Sequence, residues 1–209
     1  MIPITVKACA KINLTLDVFN RRADGYHSLS SVVQTVGLFD TIRLEPSNDS
    51  EIRVECTGPH SGRVPADASN LAARAARTLL DAAHCESGLA IHLHKEIPSQ
   101  AGLGGGSSDA AAVLLGVASA FGLDIGPKLL HSLASDLGSD VPFFLSGGTA
   151  VMRGRGEQSH GEQNNVQAGV IRRVWPVGGV NHPHARSGNG QNQRRNRCAK
   201  PAKSGSPGR

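Results

Sequence analysis

The sequence predicts a mixed α+β fold. Three observations carry this: segments with strand periodicity, segments with helical periodicity set between and after them, and a glycine-rich loop that leads from the last clear strand into an Ala- and Leu-rich helix. Residues 4–10 and 13–19 alternate, with Leu14, Leu16 and Val18 on one face, and are read as a strand pair. Residues 41–45 and 51–56 read as a second pair, with Ile42, Leu44, Ile52 and Val54 inward and Pro46-Ser47-Asn48-Asp49-Ser50 as the turn between them. Residues 89–95 alternate again through Leu89, Ile91 and Leu93.

Helices fill the intervals. Ser69 or Asn70 can cap a helix that carries Leu71, Ala72, Ala75, Leu79 and Ala83 at helical spacing. A second helix is expected from about Ser107 to Phe121. A third follows Pro127, with Leu130, Leu133, Ala134 and Leu137 on one face and Gly138 closing it in a left-handed conformation.

The chain of 209 residues is 39% hydrophobic, as expected of a soluble globular protein, and no run of 18 apolar residues suggests a membrane span. The first residues lack the charged-then-apolar pattern of a signal peptide. Four widely spaced cysteines form no CxxC, so neither a disulfide framework nor a zinc site is expected, and a cytoplasmic location fits. His92 and His94 alternate with apolar residues and are expected to face solvent rather than bind metal.

The net charge of +5 is unevenly spread. Residues 1–157 hold 13 Lys and Arg against 16 Asp and Glu, a balance of −3, whereas residues 158–209 hold 9 against one, a balance of +8. The later stretch has no Leu, Phe or Tyr and is rich in Gly, Asn, Gln, Arg, Ser and Pro. Such a composition buries too little apolar surface to offset ordering entropy, so 1–157 reads as the folded domain and 158–209 as a disordered basic tail. A basic tail also admits a non-enzymatic role, gripping nucleic acid. Trp175 is its only aromatic and it has no groove-reading helix pattern, which makes nucleic acid a poor fit.

The most informative stretch runs from Pro98 through Gly102-Leu103-Gly104-Gly105-Gly106-Ser107-Ser108-Asp109. Glycines let backbone approach a polyanion, and the following helix N-terminus offers free N–H groups and partial positive charge. Ser107 and Ser108 add hydroxyls for phosphate oxygens or Mg²⁺. The alternative reading is a flexible loop capped into an ordinary helix. The loop lacks the Gly-Lys-Ser/Thr of a Walker A sequence, and no acidic residue about 20 residues on completes a dinucleotide fingerprint.

The whole string resembles the phosphate loop of the galactokinase, homoserine kinase, mevalonate kinase and phosphomevalonate kinase superfamily. Other segments carry the same resemblance: Ala10-Lys11-Ile12-Asn13-Leu14, Leu137-Gly138-Ser139-Asp140-Val141-Pro142-Phe143-Phe144, Gly147-Gly148-Thr149-Ala150 and Gly154-Arg155-Gly156-Glu157. Arg22-Ala23-Asp24-Gly25-Tyr26-His27-Ser28-Leu29 is similar to the segment that sets the diphosphocytidyl-methylerythritol kinase branch apart from mevalonate and homoserine kinases.

The resemblance implies an N-terminal kinase domain of the ribosomal protein S5 domain 2-like fold, with ATP and Mg²⁺. It implies phosphorylation of the 2-hydroxyl of 4-diphosphocytidyl-2-C-methyl-D-erythritol in the non-mevalonate isoprenoid route, another small alcohol being the alternative substrate. By resemblance Asp140 is the general base, with Lys11 beside it. Asn13, Tyr26 and His27 meet the cytidyl substrate, and Asn70 and Lys95 neighbour the nucleotide. Read as isolated residues, Asp140 and Asn70 are equally caps of turns or helices, Lys11 and Lys95 solvated lysines, and Tyr26-His27 a packed turn. The family's second, ferredoxin-like domain and its further glycine-rich motif are not legible after Glu157, where the abrupt change of texture looks like out-of-frame translation.

Overall fold

The computed structural model describes residues 3–21, 27–154, 158–160 and 175–176. The strands are β1 (Ile4–Asn13), β2 (Asp17–Arg21), β3 (His27–Ser47), β4 (Ile52–Thr57), β5 (Gly88–His94), β6 (Thr149–Gly154), β7 (Gln158–His160) and β8 (Trp175–Pro176). The helices are α1 (Leu71–Ala82), α2 (Gly105–Phe121), α3 (Pro127–Leu137) and α4 (Val141–Ser146), with one 3₁₀ turn at Ser61–Arg63.

All eight described strands join one sheet built around β3, which pairs with β1, β2, β5 and β6. The path β4-β5-β3-β1-β8 differs from the expected pairing: β3 and β4 do not form a hairpin. Instead β5 enters between them, antiparallel to β3 and parallel to β4. The turn chemistry at residues 46–50 reverses the chain, but the three inward residues of β5 fit between the inward rows of its neighbours. Leu93 lies beside Ile42 and Cys56, and Ile91 beside Leu44 and Val54. Two-residue periodicity fixes which face a strand buries; it is silent on which strand lies alongside.

The buried face follows the alternation. Ile4, Val6 and Ala8 of β1, Ile42 and Leu44 of β3, and Leu89, Ile91 and Leu93 of β5 are all buried. Helices α1 and α2 cover them. The approach of α2 is close because Gly116 faces the sheet: a Cβ there would lie 2.5 Å from Leu44 Cδ1. On the other face Lys7 Nζ sits 3.8 Å over the Phe39 ring, and exposed His92 bonds Glu55 Oε2 at 2.8 Å. His92 and His94 therefore face solvent as expected, and the described residues hold no group of metal-binding side chains.

Three expectations need correction. Residues 13–19 are not one strand paired with the first: residues 14–16 leave the sheet, β1 and β2 each pair with β3, and Leu14, Leu16 and Val18 are 57%, 53% and 62% exposed. Gly138 ends α3 with φ 171, an extended rather than left-handed conformation, because the chain must turn at once into α4. Cys56 is a free thiol, whereas Cys85 is disulfide-bonded, which the cysteine spacing did not suggest.

Within the stretch expected to lack structure, β7 pairs with β6 and β8 with β1. The remainder of 158–209, like Tyr26, lies outside the described residues. No described helix is long and apolar enough to cross a membrane.

Candidate active site

The glycine-rich loop adopts a shape that its glycines make possible. Gly104 is the N-cap of α2 at φ 70, in the left-handed region. A Cβ there would lie 2.8 Å from Phe144 Cζ and 3.2 Å from Lys11 Cγ, so glycine is needed for space as well as for conformation. Phe144 is fully buried and meets Phe143 edge-on, with ring centroids 5.1 Å apart. The loop thus rests on a rigid aromatic floor supplied by α4. On its other side the Lys11 amide donates to the Leu103 carbonyl at 2.9 Å, fastening the loop to β1.

A cleft of about 620 Å³ opens over this loop. Pro98, Gly102, Leu103, Gly104, Gly105, Gly106 and Ser107 form one side, Lys11, Asn13 and Asp140 another, and Arg63, Asn70 and Lys95 also border it. Two strands, the loop and the segment before α4 therefore bring together most of the residues singled out in the sequence. The first amides of α2 have no helical acceptor behind them and lie at the cleft, where a polyanion would satisfy them.

Asp140 stands at the N-cap position of α4, yet its side chain makes no capping hydrogen bond. Its Oδ2 lies 3.5 Å from Lys11 Nζ, which also donates to Asn13 Oδ1 at 2.9 Å. The Lys11 side chain is 9% exposed and that of Asp140 33%, so the pair is held from below by protein and open to the cleft above. Neither alternative reading fits: Lys11 is not a solvated lysine, and Asp140 is not a side-chain cap. An ionised carboxylate beside a fixed ammonium can accept a proton from a hydroxyl while the ammonium offsets charge gathering on phosphate.

Other predicted residues serve the scaffold. Asn70 caps α1, accepting from the Ala72 amide at 2.9 Å and donating to the Pro65 carbonyl at 2.6 Å. Ser108 is fully buried and its hydroxyl donates to the Cys9 carbonyl at 2.7 Å, so it ties α2 to β1, and of the two serines only Ser107 borders the cleft. Lys95 is 2% exposed, and its Nζ bonds Asp40 and Asp109. His27 opens β3, and Tyr26 just before it is outside the described residues.

Sequence reasoning assigned no role to Asp40, Asp109, Arg63 or Ile97. Asp109 was visible as the acidic residue in Ser107-Ser108-Asp109, where an aspartate inside an apolar helix start invites a buried partner. Asp40 carried no local signal.

Comparison with known proteins agrees with this geometry. The GHMP kinases N terminal domain family matches residues 70–148. A 4-diphosphocytidyl-2-C-methyl-D-erythritol kinase of Acaryochloris marina is 48% identical over 154 residues, 74% of this chain and 49% of the relative. That of Geobacter metallireducens is 47% identical over 156 residues, covering 74% of this chain and 54% of the relative.

Among solved structures, a 4-(cytidine 5'-diphospho)-2C-methyl-D-erythritol kinase superposes with a TM-score of 0.64 at 40% identity, over 75% of this chain and 54% of that one. A homoserine kinase from Cytophaga hutchinsonii, at 23% identity and TM-score 0.58 over 74% of this chain and 49% of that one, shares the fold. The chain spans about half the length of the curated relatives it matches. With the glycine-rich loop and these matches in agreement, the chain has the fold of the GHMP kinase N-terminal domain, whose family model matches residues 70–148.

Proposed function

We propose that this domain binds ATP in the cleft and serves an ATP-dependent kinase that phosphorylates the 2-hydroxyl of 4-diphosphocytidyl-2-C-methyl-D-erythritol, a step of the non-mevalonate isoprenoid route in the cytoplasm. The observation that carries the reading is the Lys11–Asp140 pair, 3.5 Å apart at the edge of the glycine-rich loop. Phosphoryl transfer asks a protein mainly for position and charge, and this arrangement supplies both. The loop and the α2 N-terminus hold the polyphosphate. Asp140 accepts the proton of the substrate hydroxyl, and Lys11 draws the hydroxyl into line and offsets charge on the phosphate.

ATP, when bound, supplies the phosphoryl group. Mg²⁺ fits the donor set: it commonly takes one or two protein oxygens together with substrate phosphates, and Ser107 and Asp140 border the cleft. Asn13 helps hold the substrate, and Tyr26 with His27 recognises cytosine. The 44–48% identity to kinases named for this substrate supports the choice over mevalonate or homoserine. The composition change after residue 157 supports reading 158–209 as out of frame.

The test is a coupled ADP-release assay on this chain, and on a version with the reading frame after codon 157 restored, offering the cytidyl substrate, mevalonate and homoserine. Turnover of the first alone is expected. Turnover of either of the others with none of the first would sink the assignment.

A further inference from the structure

Beneath the cleft lies a second Lys–Asp arrangement that the proposed chemistry does not use. Lys95 follows β5, Asp40 lies within β3 and Asp109 belongs to the start of α2. Lys95 Nζ donates to Asp40 Oδ2 and to Asp109 Oδ2, and the three residues are 2%, 0% and 3% exposed. Asp40 spends its other oxygen on backbone: Oδ1 accepts from the amides of Glu96 at 2.7 Å and Ile97 at 2.8 Å, the residues that lead into the glycine-rich loop. Lys95 is itself fixed, its amide donating to the Thr57 carbonyl at 2.8 Å. The two ends of the loop also touch, since a Cβ on Gly105 would lie 3.0 Å from Ile97 Cγ2 and 3.6 Å from Asp40 Oδ2.

We infer that Asp40, Lys95 and Asp109 form a positioning clasp, which fixes the glycine-rich loop by tying the strand entering it to the helix leaving it. A loop rich in glycine has the most backbone freedom to lose, and its amides serve a polyanion only if they are held in advance. Among the described residues, the only hydrogen bond joining the 98–104 stretch to a strand runs from the Lys11 amide to the Leu103 carbonyl, so the loop depends on its ends. Lys95, with its ammonium already engaged by two carboxylates, is a positioning residue and not a phosphate ligand.

Asp109 shows the strain of the arrangement. Its Oδ1 is buried with no hydrogen-bond partner. Burial, against the pull of Lys95 and with the push of Asp40, raises its carboxyl to about 7. The charged or titratable groups around it are Asp40 from β3, Lys95 after β5 and Cys56 from β4.

The clasp rests on the proposed nucleotide reading only for its effect on binding, so its test has a readout without nucleotide. In the nucleotide-free full chain, amide exchange of Glu96 and Ile97 should be as slow as that of β5. Exchange there as fast as at Gly102 would overturn the clasp without any variant.

In Asp109→Ala, residues 98–106 should exchange about tenfold faster while β4 and β5 keep their protection. The Kd for MgADP should rise about tenfold through lost preorganisation. Asp109→Asn retains an oxygen for Lys95 and should restore both. Wild-type exchange across 98–106 in the Ala variant refutes the clasp. Loosening of the loop in a chain that shows no saturable MgADP binding upholds the clasp and removes the nucleotide reading.

Discussion

Among the described residues two Lys–Asp sites stand out, one at the cleft edge and one beneath it, and they differ in exposure. The Asp140 side chain is 33% exposed and meets Lys11 at 3.5 Å, while Asp40, Lys95 and Asp109 are at most 3% exposed. The open pair keeps a carboxylate free to accept a proton from a ligand. In the closed set, the lysine and one carboxylate are used up on protein. On the proposed readings the same residue types serve chemistry in one place and geometry in the other, and solvent access separates the two roles. Burial also changes the cost of losing a partner, because an abandoned charge in the core has no water to turn to.

The sharpest break between the two sites is Asp140→Asn. It keeps shape and removes the proton acceptor, so kcat should fall about 10²–10⁴-fold, up to about 5 kcal/mol of barrier, with nucleotide affinity and melting temperature nearly unchanged. Steady-state kinetics beside a thermal melt checks this, and an active Asn variant would take Asp140 out of the mechanism.

Lys95→Met should act in the opposite sense. It leaves two buried carboxylates facing each other and should cost about 3–5 kcal/mol of stability, read by urea titration. A loss under about 1 kcal/mol would mean that the buried set behaves like a surface pair.

The pH dependence of stability sharpens the comparison further. Asp109 is raised from 3.8 to about 7 in the folded protein. The folded state therefore holds a proton that the unfolded chain has released. That contribution is fully present below 3.8 and is lost as pH rises through about 7, with an upper limit of about 4 kcal/mol. Lys95 is desolvated, yet its two carboxylates hold it above 10.5, so it stays charged throughout this window. Wild-type melting temperature should drop between pH 5 and pH 8, and Asp109→Asn should flatten the drop. An equal slope in both proteins would show that Asp109 is not the group responsible.

The smallest effect belongs to the cleft wall. Asn70→Ala removes the α1 cap and should cost about 1 kcal/mol, typical of N-caps, with a modest change in nucleotide affinity. A large loss of affinity at unchanged stability would move Asn70 from scaffold to ligand contact.

Much of the candidate site was legible because a glycine-rich turn into a helix leaves local marks. Gly104, Ser107 and the helix behind them are contiguous in sequence, and their chemistry follows from backbone freedom and the helix terminus. Lys11 and Asp140 are 129 positions apart and became a pair only through the family motifs around them. Asn70 announced itself as a cap by the helical period that follows it. What could not be read was partnership across the sheet: the insertion of β5 between β3 and β4, the use of Ser108 to tie α2 to β1, and the joining of Asp40 to Lys95.

The sequence by itself determined the buried faces of β3 and β5, the helices α1, α2 and α3 and the glycine-rich loop, since each depends on residues within a few positions of one another. Only the tertiary structure decided which charged residues are buried, which of them meet, and therefore which lysine is left for chemistry. Those outcomes depend on desolvation and on contacts between chain segments far apart, and neither is written in any local pattern.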